Sequence, residues 1–133
     1  NDHTDTIYTR YGAMLMASVY VAQENYDQAS AELNWILDNP ELGFMQKAEE
    51  ELFLSARLRL ARVMLAQGQA QQALDLIIAV DSLELVASYA EVQGDAYLQL
   101  GQIEQARSAY ERAIAAGQGN NNFIELKLLG LEG

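Results

Sequence analysis

Carboxylates are the groups most able to do chemistry here, and two of them, Glu91 and Asp95, stand four residues apart. On a helix that spacing puts both on one face, where like charges repel by a few tenths of a kcal/mol, roughly, and could hold a cation weakly. They match no metal pattern, and Glu49-Glu50-Glu51 reads as a solvated start of a helix, where negative charge is favoured. The one histidine, His3, lies in a polar N-terminal stretch with no second histidine and no cysteine beside it. A nucleophilic set needs a histidine held in place, and a thiolate metal site or disulfide needs cysteine, of which there is none. There is no glycine-rich phosphate loop. The residues therefore point away from an enzyme, a cofactor protein or a metal protein.

Basic groups are few, eight against nineteen acids. Arg57, Arg59, Arg62 and Lys47 fall in one helical stretch, and Arg107 and Arg112 in another, where Arg107 and Glu111 are spaced to pair. The net charge is −11. Nucleic acid as a partner is disfavoured, because phosphate binding needs clustered Lys and Arg, and so is adsorption to anionic headgroups. The acidic surface serves solubility or meets a basic partner.

These groups must be positioned by helices. The 133 residues fit one domain, half of them hydrophobic. Ala, Leu, Gln and Glu dominate, all good helix formers, and no alternating β-branched run predicts a strand. The chain reads as all-α. No run of about 20 apolar residues is present, so the chain as given spans no membrane. It starts at Asn1 without methionine, which suggests a mature fragment with something upstream.

Three segments align with one another. Ala17-Ser-Val-Tyr20 leads to Ala29, Ala61-Arg-Val-Met64 to Ala73, and Gly94-Asp-Ala-Tyr97 to Ala106. In each, a small residue lets two helices approach and a large one three positions on fills the space beside it. Gly68 and Gly101 can take positive φ and end the first helix of a pair; the first segment has Glu24-Asn25 instead. The anchors Ala73 and Ala106 are 33 apart, but Ala29 and Ala73 are 44 apart, so about ten extra residues lie in 38–50, where Pro40 and Gly43 mark a break. Residues 45–67 then read as one long helix. Neither helix of a pair buries its apolar face alone, so pairs must stack.

This is the tetratricopeptide pattern. It predicts an α-solenoid of three helix pairs (about 7–40, 45–81 and 84–117) with a C-terminal capping helix at about 121–131, carrying Phe123, Ile124, Leu126, Leu128, Leu129 and Leu131. That helix covers the last repeat or docks a partner. Residues 1–6 are expected to fray and 117–122 to form a linker. Trp35 is expected in or near the core, or else on a contact surface. Counting from the anchor alanines, the first helix of each pair faces a concave groove with Tyr11, Met14, Ser18 and Val21, then Ser55, Leu58, Arg62 and Leu65, then Ser88, Glu91, Asp95 and Leu98. An extended or helical peptide with apolar anchors and a basic residue would suit it. The lysine and asparagine clamp with which some tetratricopeptide proteins hold a C-terminal carboxylate is absent at the matching positions.

The resemblance goes further than the general repeat. Tyr11-Gly12-Ala13, Gln28-Ala29-Ser-Ala-Glu-Leu33, Leu58-Arg59-Leu60-Ala61-Arg62-Val63, Ala106-Arg107-Ser108-Ala109-Tyr110-Glu111 and Leu126-Lys127-Leu128 together resemble the periplasmic domain of the bacterial YfgM family, over residues 11–131. The Leu-Arg-Leu-Ala-Arg run is the more specific part; the repeat glycines and alanines are generic. The resemblance implies a single N-terminal helix in the inner membrane, a domain on its periplasmic side, and an ancillary role at the SecYEG translocon with a PpiD-like membrane-anchored prolyl isomerase and periplasmic chaperone work. It brings no catalytic residues. The extra residues in 38–50 depart from the family. A soluble cytosolic tetratricopeptide adaptor is the alternative reading.

Overall fold

The computed structural model describes residues 7–39, 46–77, 86–117 and 122–132. His3, the 1–6 stretch, Pro40, Gly43 and most of the 117–122 linker lie outside them. The described residues form seven helices: α1 (Ile7–Ala22), α2 (Tyr26–Asp38), α3 (Gln46–Ala66), α4 (Ala70–Ile77), α5 (Val86–Gln99), α6 (Ile103–Ala116) and α7 (Asn122–Glu132). The long helix expected after the break is α3, 21 residues without Gly or Pro. Among the described residues no helix is long and apolar enough to cross a membrane. The helices gather into two compact units, residues 1–67 and 68–133.

In the first unit α2 packs on both α1 and α3. Small residues let the backbones close up: Ala17 from α1, Ala29 from α2, and Ala56 and Ala61 from α3 are buried. Leu33 and Ile36 fill the centre with no exposed surface, each stabilising the fold by about 2 kcal/mol through burial. Tyr20 and Met64, three positions after the small residues, are half-buried.

The turn between α1 and α2 is the informative one. Glu24 adopts φ 57°, close to Gly68 (77°) and Gly101 (78°) in the later turns. The hydrogen bonds match as well. Asn25 N–H donates to Tyr20 O (2.8 Å) and Glu24 N–H to Val21 O (2.9 Å); Gln102 N–H donates to Tyr97 O (2.9 Å) and Gly101 N–H to Leu98 O (3.0 Å). Both turns satisfy the last carbonyls of the preceding helix in the Schellman manner. The first turn is thus built like the third, with glutamate where glycine is the unstrained choice.

In the second unit α5 packs against α4 and α6, and α6 also carries α7. Ala73, Ala96, Ala106, Ala109 and Ala113 are buried completely, as is Tyr110. α7 closes this unit by laying Ile124 onto Ala90, Ala106, Tyr110 and Ala113, with Leu128 and Leu131 packed beside it. Phe123, Leu126 and Leu129 point away, at 79%, 62% and 63% exposed. One expected pair is not made: Arg107 turns from Glu111 toward Glu104 (3.8 Å) and Glu132 (3.7 Å). Glu132 arrives with α7, which helical spacing within α6 could not anticipate.

Candidate protein-interaction site

The first unit contains an open cleft of about 350 Å³ between α1, α2 and α3. Its floor is Ala17, Leu33 and Val63, all core residues. Val21, Tyr26 and Ala66 form the sides, and Ser18, Arg59 and Arg62 the polar edge. The elements fix this polar edge. Ser18 and Val21 share a face of α1 at i,i+3, as do Arg59 and Arg62 on α3. Ser18 Oγ donates to Met14 O one turn back (3.2 Å) and accepts from Arg59 Nη1 (2.6 Å), which ties α3 to α1 at the cleft.

Of the residues counted onto the first unit's groove, Ser18, Val21 and Arg62 line this cleft. Tyr11 is exposed, and Ser55 and Leu65 are half-buried. Met14 and Leu58 are core residues instead. A helix clasped by two others buries a wider arc than a helix packed against one, and these two positions fall inside that arc.

Four candidates lie in the second unit. Leu98 is exposed and Ser88 half-buried. Glu91 and Asp95 share a face of α5, as their spacing requires, and α7 brings Lys127 onto both. Its Nζ donates to Glu91 Oε2 (2.8 Å) and to Asp95 Oδ1 and Oδ2 (3.0 and 3.1 Å). Tyr110 OH donates to Asp95 Oδ1 (2.5 Å), and the lysine lies 5.8 Å from the Tyr110 ring centre. Burial, then the hydrogen bond to Asp95 and the negative charges of Asp95 and Glu91, push the Tyr110 hydroxyl far above its ordinary range. For Lys127 burial works downward, but the bonds to Glu91 and Asp95 outweigh it and the net direction is up. The two carboxylates, expected to meet a basic residue of a ligand, meet a basic residue of their own chain. The signal was Lys127, the one cation in the mostly apolar run of α7.

A second feature had no sequence signal. Arg10 is wholly buried. Its Nε donates to Asn39 O (2.6 Å) and its Nη2 to the same oxygen, while its guanidinium lies 5.8 Å from the Trp35 ring centre. Trp35 is half-buried under it. A charge near the start of the first helix reads as surface in a sequence, yet this one fastens the end of α2 to α1.

Helix pairs closed by left-handed turns over buried anchor alanines, with small residues where helices meet, define a helical-repeat protein. The whole chain, residues 1–133, matches the tetratricopeptide repeat-like domain family, and the chain belongs to it. It is also similar to the ancillary SecYEG translocon subunit of Escherichia coli (strain K12), at 30% identity over 107 residues, covering 78% of this chain and 48% of that protein. That identity over most of the chain bears out the resemblance to the YfgM family; the chain spans about half the length of that curated relative.

Proposed function

We propose that the chain is a non-catalytic protein–protein interaction scaffold, the periplasmic domain of an inner-membrane ancillary subunit of the SecYEG translocon. The observation that carries this reading is the similarity to the translocon subunit of Escherichia coli over most of the chain. The fold supports it, since repeats of this kind present side chains on helix faces for partner proteins. In this reading exposed positions of each unit, among them Arg62 in the first and Leu98 in the second, contact the partner, and a PpiD-like membrane-anchored chaperone joins the same assembly.

The test uses the full gene product, tagged in its own membranes. Solubilised in mild detergent, it co-purifies with SecYEG, and crosslinkers at Arg62 and Leu98 give adducts with a translocon or chaperone subunit. Recovery in the cytosolic fraction, without SecYEG, overturns the reading and favours a cytosolic adaptor.

A further inference from the structure

We propose that the cleft between α1, α2 and α3 is a binding site for an extended peptide segment that carries a carboxylate side chain next to a large aliphatic one. The proposal rests on the scaffold reading for its biological setting, but not for its chemistry. The charge distribution carries it. Lys and Arg number eight and Asp and Glu nineteen, yet three of those eight, Arg57, Arg59 and Arg62, lie within six residues of α3, and two of the three edge the cleft while no acid lines it. Asp27, next to the wall residue Tyr26, accepts from Gln67 Nε2 (3.0 Å) and so is turned to the end of α3.

The arginines are also held ready. Ser18 fixes one amino group of Arg59, and a guanidinium has five N–H donors in a planar fork, so most of its donors remain for a ligand. Arg62, one turn on, is exposed. Two guanidiniums on one face suit the two oxygens of a carboxylate. Below them the floor is aliphatic, and 350 Å³ lies in the size range of small-ligand sites, roughly 300–1,000 Å³. A carboxylate on the arginines and an apolar side chain on Leu33 and Val63 satisfy both parts together. A basic ligand residue, which Glu91 and Asp95 suggested, would be repelled here.

The probe is the unlabelled peptide acetyl-Gly-Leu-Asp-Leu-Gly-amide, titrated into the purified 15N-labelled chain and followed by amide chemical shifts. Saturable shifts are expected at Ser18, Val21 and Val63, weakened about tenfold when the peptide Asp is replaced by Asn or when Arg62→Gln is combined with Arg59→Gln. An unchanged spectrum of the remaining amides shows that the double variant is folded. Equal binding of the Asn peptide, no saturable shifts at millimolar peptide, or shifts with laurate but not with the peptide each overturn the proposal. Translocon co-purification decides the scaffold reading separately, since cleft binding is measured on the chain alone.

Discussion

The ring of Tyr110 in α6 occupies the space that a Cβ on Gly94 in α5 would need. Such an atom would lie 2.5 Å from Tyr110 Cδ1 and 2.9 Å from its Cζ, and closer still to Cε1. Tyr110 cannot yield easily, because its hydroxyl is held by Asp95 and its ring is packed by Ile124. Gly94→Ala is therefore expected to destabilise the chain by about 2 kcal/mol through overpacking. Gly12→Ala is the control: a Cβ there meets nothing within 4 Å, so inside α1 it is expected to stabilise by about 0.5–1 kcal/mol. Urea denaturation of the two variants checks the opposite signs.

The α1–α2 turn makes the converse prediction. Glu24 holds a positive φ with a side chain that disfavours it. Glu24→Gly is expected to be neutral or to stabilise by up to about 1 kcal/mol, glycine's strain-free turn being partly offset by its freedom in the unfolded chain. Gly101→Ala imposes the same conformation on a Cβ and is expected to lose about 1 kcal/mol. Thermal melts of both variants decide it.

Arg10 is a buried cation whose loss leaves Asn39 O without its donors. Arg10→Met is expected to cost about 2 kcal/mol, and Arg10→Lys to recover only part of it, because an ammonium lacks the planar fork that sets two donors on Asn39 O beside Trp35. Trp35 fluorescence during unfolding reads the loss directly.

Lys127 and Tyr110 set the response to alkali. Both hold their protons more tightly in the folded chain than at their ordinary values of 10.5 and 10.0. Their contribution to stability is intact below pH about 10 and is lost as pH rises beyond those values. Melting temperature is expected to stay level in this respect from pH 7 to about 10 and then fall. Lys127→Met should make the fall shallower. At neutral pH the same variant should cost about 1 kcal/mol, a modest figure because the lysine side chain is 34% exposed. An unchanged alkaline slope in Lys127→Met would show that Lys127 plays no part.

The α1–α2 and α5–α6 pairs were legible because packing leaves small residues at fixed places. Ala29 and Ala106 announce helix contacts, and the turn glycines 68 and 101 left-handed turns, by residue type alone. The α1–α2 turn was harder, since its hydrogen bonds impose the same backbone on a residue with no preference for it. Side-chain partners were less legible. Glu91 and Asp95 were visible as a pair, but Lys127 reaches them from 32 and 36 positions along the chain. Arg107 likewise finds Glu132 rather than Glu111. Met14 and Leu58 sat on the expected face, yet the width of the buried arc depends on how many helices surround α1 and α3, which residue counting within one helix does not reveal.

Arg10 has one more consequence. It is the sole charged residue of α1, and it is spent inside. The outward side of that helix, with Tyr11, Leu15, Met16 and Val19 exposed, is left with no charge of its own to keep other molecules at a distance. In dilute buffer the mutual repulsion of chains at −11 supplies that distance from elsewhere on the surface. Added electrolyte shortens its reach to about 8 Å at physiological strength, so colloidal behaviour should worsen with salt, the reverse of what an acidic composition by itself suggests.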